Sequence, residues 1–215
     1  MDDQDINFIS NETRKERIKN FLKNNKYKII FFFVIIILFI FAYFAYNSYK
    51  LSKKQKIADK FNLAILEFKN ENSPEINNIM KNIINKKDKT YSPLALYFII
   101  ENDLEKSLSE INNLFDIVIN ETNLEKNMKY LNIYKKAVYN SNFAEEKEFL
   151  EILDPLIQNK NIWQSHSYYL LAEYYYSKGE KSKSKQIFDK ILSMDSSNSE
   201  IRLESQKRLQ RDFSD

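Results

Sequence analysis

The sequence predicts an all-α protein, in which one N-terminal transmembrane helix precedes a set of antiparallel helix pairs. A long stretch near the N-terminus carries no charged residue, and elsewhere apolar residues recur every three or four positions. No segment alternates with a period of two for long. One glycine and three prolines among 215 residues are also too few for the many tight turns of a sheet-rich fold.

Composition removes several enzyme classes. The chain has no cysteine and one histidine, His166, whereas the familiar zinc sites need several such ligands. A single glycine excludes glycine-rich phosphate loops. The net charge of +3, with no long basic run, gives nucleic-acid binding little electrostatic support. We therefore expect no enzymatic activity, no cofactor, no metal, no nucleic acid and no small-molecule substrate.

Residues 1–28 form a basic N-terminal segment. Thr13 and Glu16 have the spacing of a capping box, and Ile18, Phe21 and Leu22 follow at helical spacing among lysines. Two interpretations remain open for this segment. It is either an amphipathic helix on the headgroup surface or a frayed basic tail.

Residues 29–49 contain no charge, and we predict that they form a transmembrane helix. The apolar core Ile29–Tyr46 has 18 residues, which at about 1.5 Å each come close to the thickness of a hydrocarbon core. A soluble core helix would show a polar face, and a signal peptide has a shorter apolar region followed by small residues. We therefore expect a retained anchor.

Charge around the span favours a cytoplasmic N-terminus, with the larger C-terminal part across the membrane. Seven basic residues precede the span and five follow it. The preceding ones are Arg14, Lys15, Arg17, Lys19, Lys23, Lys26 and Lys28, and the following ones are Lys50, Lys53, Lys54, Lys56 and Lys60.

Beyond the span, residues 50–70 keep the helical period, which predicts that the anchor helix continues to about Lys69 and ends between Asn70 and Ser73. Residues 71–215 then read as seven or eight helices with short connections. The helix starts are predicted from Ser73-Pro74, Ser92-Pro93, Thr122-x-x-Glu125 and Ser197-x-x-Glu200. The first of these helices should run to about Asn85, and Pro155 should bend or end another helix near Asp154.

Residues 165–198 match the 34-residue tetratricopeptide pattern, in which two small residues let paired helices approach closely. The pattern therefore predicts a tetratricopeptide-like α-solenoid, with a closing helix at about 199–211. Gly179 should supply a left-handed helix end. The matching residues are Tyr168, Leu171, Ala172, Tyr175, Gly179, Ser184 and Phe188, while Ile191 departs from the usual alanine and Ser196 from the usual proline.

An earlier unit fits the same positions less closely, with asparagine in place of glycine at the turn. Its residues are Tyr91, Leu94, Ala95, Phe98, Asn102, Ser107 and Ile111. A further helix pair covers about Asn123 to Asn159, and its register stays open.

The layout of a basic start, one span and degenerate tetratricopeptide repeats resembles the ancillary subunit family of the SecYEG translocon, in its alphaproteobacterial form. The similar stretches are ETRKERIKNFLKNNKYK, TYSPLALYFIIENDLEKSLSEIN and DPLIQNKNIWQSHSYYLLAEYYYSKGEKSKSKQIF. The resemblance implies a bacterial inner-membrane protein with a periplasmic repeat domain. It also implies translocon subunits and periplasmic chaperones as partners.

A dense aromatic group lies within the clearest repeat. Trp163, Tyr169, Tyr174 and Tyr176 are candidates for a groove that holds a peptide, and the alternative is packing against the neighbouring repeat. His166 is expected to have a packing or solvent role near the start of a helix. The carboxylates of Glu145, Glu146 and Glu148 are better explained by helix capping than by acid–base chemistry.

The sequence thus favours a non-enzymatic, membrane-anchored module for protein–protein interaction at the Sec translocon. Two alternatives stay open. One is an anchored scaffold of envelope assembly or cell division without translocon contact, and the other is an anchored enzyme, which would need a deep polar pocket.

Overall fold

The computed structural model describes residues 3–68 and 73–213, and within these ranges every regular element is a helix and no strand occurs. The all-α prediction is confirmed. The chain divides into two compact units, residues 1–56 and residues 57–215. The elements are α1 (Asp3–Asn24), α2 (Lys26–Phe68), α3 (Ser73–Ile84), α4 (Tyr91–Glu101), α5 (Leu108–Asp116), a π-helix (Ile117–Glu121), α6 (Lys126–Asn140), α7 (Glu146–Ile157), α8 (Gln164–Ser177), α9 (Lys181–Ser193) and α10 (Ser199–Asp212).

The first unit contains α1 and most of α2. In the part of the chain that the structure describes, α2 is the one helix long and apolar enough to span a membrane. Most apolar side chains of residues 29–46 in this helix are exposed, as Phe39 and Phe41 show. The helix α1 already begins at Asp3 and runs through Thr13, so the capping box predicted at Thr13 is wrong.

The second unit begins inside α2, at Ile57, earlier than the boundary at residue 71 that the sequence indicated. The reason is that the apolar side chains of residues 57–68 lie on one face of α2, and this face packs against α4. Phe61 packs against Tyr91 and Phe68 against Phe98, with ring centroids 5.6 and 5.2 Å apart. The predicted end of the anchor helix at residues 70–72 lies outside the described residues, and α3 begins at Ser73.

The pair α3–α4 is joined by an unexpected cap. Ser92 lies within α4 rather than before it, and its buried hydroxyl donates to the carbonyls of Ile83 and Ile84 at the end of α3. Asp88 instead caps α4, because its Oδ1 accepts from the backbone N–H groups of Thr90 and Tyr91. The prediction that Ser92 caps its own helix is therefore wrong. The preceding helix α3 ends at Ile84, one residue before the expected Asn85.

The earlier repeat unit is not arranged as predicted. Helix α4 packs mainly against α3 and much less against α5. Ser107 does not lie inside a helix; it caps α5, where its Oγ accepts from the N–H of Glu110 at 3.3 Å. The left-handed residue is Asp103, with φ of 50°, whereas Asn102 has φ of −104°.

Helices α6 and α7 form the middle pair. α6 begins after Glu125. The hydroxyl of Thr122 donates to the carbonyl of Ile117, the first residue of the π-helix, so the predicted cap at Thr122 is wrong. Pro155 lies in the last turn of α7, which continues to Ile157. The N–H of Gln158 donates to the carbonyl of Asp154, so the helical hydrogen bonds continue past the proline and the helix does not end near Asp154.

Helices α8 and α9 meet across small residues. Gly179 has φ of +80° and forms a left-handed helix end: its own N–H donates to the carbonyl of Tyr176, and the next N–H donates to Tyr175. Ala172 and Ser184 are fully buried between the helices. The closing helix α10 is capped by Asn198, whose Oδ1 accepts from the N–H groups of Glu200 and Ile201, rather than by Ser197.

Candidate functional site

An apolar groove runs between helices α4 and α6, and we call it the α4–α6 groove. It consists of two cavities of about 310 and 320 Å³ that share Tyr97. Its lining residues are Lys89, Thr90, Pro93, Leu94, Tyr97, Ile100, Glu101, Phe115, Leu124, Glu125, Met128, Tyr134, Lys135, Val138 and Tyr139.

The two helices run in the same direction along this groove. One cavity is lined by the start of α4 and the start of α6, at Leu94 and Met128. The other is lined by the ends of both helices, at Glu101 and Val138. The two cavities lie at opposite ends of this helix pair, with Tyr97 between them.

Beneath the groove, a side-chain hydrogen bond joins α4 to α6. The phenol of Tyr97 donates to Oδ1 of Asn132 at 2.8 Å, and Nδ2 of Asn132 donates to the carbonyl of Met128 at 2.7 Å. Asn132 is fully buried. Burial raises the pKa of Tyr97 to about 12, so the phenol stays a hydrogen-bond donor at every physiological pH.

The rim of the groove combines exposed apolar and charged side chains. Leu94, Met128 and Val138 are 41%, 41% and 44% exposed. The ammonium group of Lys135 lies 3.6 Å from the ring centroid of Tyr97, a cation–π contact at the middle of the groove. The arrangement offers apolar surface for a segment to bury and a lysine that can pair with a carboxylate of that segment.

An aromatic row continues from α6 toward α8. Tyr134 stacks on Trp163 with ring centroids 5.4 Å apart, and His166 lies 5.3 Å from Trp163. Burial raises the pKa of Tyr134 and lowers the pKa of His166. His166 therefore packs beside Trp163, which agrees with the packing role that the sequence predicted, and its burial favours the neutral form.

The four aromatic residues proposed as a peptide groove do not line one surface. Tyr174 is buried, stacks on Phe149 and donates to the carbonyl of Ala144 at 3.1 Å. Its assignment to a partner surface is therefore wrong. Trp163 packs against the same main core as Tyr174, on the side of α6 and α7.

Tyr169 and Tyr176 face the other way, toward α9 and α10. The ring of Tyr169 lies 5.5 Å from that of Phe188, and the ring of Tyr176 lies 5.7 Å from that of Phe213. The guanidinium of Arg208 covers Tyr176 at 4.5 Å from the ring centroid. The alternative interpretation, packing against neighbouring helices, describes these residues better than a groove does.

The residues taken from the repeat pattern divide between two hydrophobic cores. Tyr168, Ala172 and Phe188 belong to a small core that Ile201, Leu209 and Phe213 cover. Leu171 and Tyr175 belong to the main core, and Ser184 is fully buried.

The three glutamates near the start of α7 have separate roles. Glu145 precedes the helix, and Glu146 accepts hydrogen bonds from the phenol of Tyr175 at 2.8 Å and the ammonium of Lys183 at 3.0 Å. These two donors lower the pKa of Glu146. Glu148 is exposed and lines a depression of about 620 Å³ between α5, α6 and α7, whose lining mixes polar and apolar side chains.

Several polar groups of that depression are already paired, either with each other or with the buried Asn140. Lys136 binds Asp116 at 2.8 Å, and the side-chain amides of Asn112 and Asn140 exchange two hydrogen bonds of 2.9 and 2.7 Å. Within residues 3–68 and 73–213, no group of three or more His, Asp and Glu side chains is placed to hold a metal ion.

Sequence reasoning missed the α4–α6 groove. The available signal was Asn132, a polar residue between Tyr130 and Ile133 on the apolar face of α6, because a buried amide needs a partner. The partner, Tyr97, is 35 positions away, and its identity depends on the packing of helices. Comparisons with protein-family models, curated proteins and solved structures found no match for the chain.

Proposed function

We propose that this protein is a non-enzymatic, membrane-anchored interaction module, which binds an apolar segment of a partner protein in the α4–α6 groove. The observation that carries this proposal is the groove itself. It exposes Leu94, Met128 and Val138 along two parallel helices, over a floor held by the hydrogen bond from Tyr97 to Asn132.

The chemistry of the groove favours a helical or extended peptide with apolar anchors. Such grooves bind segments whose apolar side chains recur on one face. Lys135, between the two apolar ends, fits a partner carboxylate near the middle of the segment. The two cavities are small, and their burial must offset the freedom that the two partners lose on association. The expected complex is therefore weak and transient.

The partners that we propose are subunits of the Sec translocon and periplasmic chaperones. Three features support this choice: the apolar span in α2, the excess of basic residues before it, and the resemblance of the layout to the ancillary translocon subunits. In this proposal the N-terminus is cytoplasmic, and α3–α10 form a periplasmic tetratricopeptide-like solenoid at the bacterial inner membrane. The buried small residues Ala172 and Ser184, with the left-handed Gly179, support the repeat interpretation of α8–α9.

Site-specific photocrosslinking in intact membranes tests the groove and the partner together. A photoreactive aromatic residue replaces Met128 or Val138 in the full chain, and the matched control replaces Leu203, an apolar residue of α10 that is 51% exposed and lies outside the groove. We expect a shared crosslinked partner from the two groove positions and none from Leu203.

The identity of the crosslinked protein decides between the proposals. A translocon subunit or a periplasmic chaperone supports the assignment to export. A protein of envelope assembly or cell division would support the scaffold alternative instead. Equal crosslinking from Leu203, or none from the groove positions, would contradict the α4–α6 groove as the binding surface.

A further inference from the structure

Helix α1 carries an exposed apolar patch that no part of the proposed interaction site uses. Ile18, Phe21 and Leu22 are 55%, 63% and 49% exposed. Their spacing of three and four residues places them on one side of the helix. Three neighbouring large apolar side chains at this exposure are costly in water, which indicates that something covers them.

Basic residues surround this patch. Residues 14–28 contain seven lysines and arginines and one acidic residue, Glu16. Arg14, Lys15, Arg17 and Lys19 lie within one turn of Ile18. A helix with apolar side chains on one face and lysines and arginines around them fits the boundary between headgroups and acyl chains of an anionic membrane.

The patch is also tied to the membrane by the chain itself. Only Asn25 separates α1 from α2, and its N–H donates to the carbonyl of Phe21 at 3.0 Å. Phe21 precedes the apolar stretch at Ile29 by eight residues, about 12 Å along a helix. The headgroup layer is therefore within reach of the patch whenever α2 spans a bilayer.

We propose that residues 14–24 of α1 bind anionic phospholipids, with Ile18, Phe21 and Leu22 entering the headgroup region and the surrounding lysines and arginines pairing with lipid phosphates. This function is separate from partner binding in the α4–α6 groove. It makes the anchor selective for membranes rich in acidic lipids, since each basic side chain near such a surface adds to the attraction.

Thiol accessibility in the full-length protein tests this proposal, because the chain has no native cysteine. Leu22→Cys places a thiol in the patch, and Asn20→Cys, on the opposite side of the same helix, is the matched control. Each variant is reconstituted into vesicles of phosphatidylcholine alone or of phosphatidylcholine with phosphatidylglycerol. A polar maleimide is supplied on both sides of the bilayer, so that the orientation of the anchor does not affect the rate.

In vesicles with phosphatidylglycerol, we expect Leu22→Cys to react severalfold more slowly than Asn20→Cys. High salt, or replacement of Arg14, Lys15, Arg17 and Lys19 by glutamine, should remove the difference because both weaken the attraction to phosphate. Equal rates at the two positions in these vesicles would overturn the proposal. Equal protection in pure phosphatidylcholine would overturn the role of acidic lipid, and protection that requires added RNA would assign the patch to nucleic acid instead.

Discussion

Tyr97 and Asn132 connect the two walls of the α4–α6 groove through one hydrogen bond of 2.8 Å, from the phenol to the buried amide oxygen. The bond spans 35 residues of sequence. It joins helices that are not consecutive, so it holds the width of the groove as well as contributing to stability.

Loss of this hydrogen bond should destabilise the second unit. Tyr97→Phe leaves Oδ1 of Asn132 buried without its donor, and we expect the free energy of unfolding to fall by about 1–3 kcal/mol. Chemical denaturation followed by the fluorescence of Trp163, the single tryptophan, measures the change. Tyr139→Phe is the control, since Tyr139 contacts Phe115 and Phe143 through its ring. An equal loss in both variants would contradict a specific role for Tyr97.

Replacement of Gly179 should lower stability only through the strain of its left-handed backbone conformation. Its φ is +80°, and a Cβ added there would meet nothing within 4 Å. We expect Gly179→Ala to lower the free energy of unfolding by about 1–2 kcal/mol, which is the cost of a left-handed non-glycine residue. Gly179→Asn should cost less, because asparagine tolerates this conformation. Equal losses for the two variants in the same denaturation experiment would refute the conformational explanation.

Acid should weaken the link between α3 and the loop before α5. Glu105 accepts hydrogen bonds from the ammonium of Lys81 at 2.7 Å and from the N–H of Ser107 at 2.9 Å, and these lower its pKa from 4.5 to about 2. As the pH falls, the carboxylate of Glu105 therefore binds a proton in the unfolded state before it does so in the folded state. The stabilisation is present above pH 4.5 and is lost as the pH falls toward 2.

Denaturation midpoints measured between pH 5 and pH 2 test this assignment. Glu105→Gln should flatten the acid-induced decline relative to the native chain. The control is Glu121→Gln, which removes an exposed partner of Lys87. If Glu121→Gln flattens the decline as much as Glu105→Gln does, Glu105 is not the source of the acid sensitivity.

Charges within the span should release the protein from the membrane. Three aspartates in place of Ile36, Ile37 and Phe39 raise the cost of insertion by about 8–10 kcal/mol in total. We expect this variant in the soluble fraction after alkaline extraction of membranes. The control carries three aspartates at the exposed positions Lys185, Leu203 and Gln206, and it should stay in the membrane fraction. Retention of the first variant would contradict an anchor in α2.

The packing partners of the aromatic residues in α8 could not be predicted from the sequence. The sequence shows that Tyr169, Tyr174, Tyr175 and Tyr176 are crowded on one helix. Adjacent positions on a helix point in different directions, so these rings separate between the main core and the smaller core under α10. Which ring meets which core depends on where α7 and α10 pack, and no local pattern contains that information.

The sequence by itself determined the helical class, the apolar span and the turn at Gly179. Each of these follows from local chemistry: the absence of charge over a bilayer's thickness, the three-to-four residue period, and the one residue type free to turn left. The tertiary structure decided the site. The groove depends on the hydrogen bond between Tyr97 and Asn132, and contacts between such distant residues form only when the helices pack.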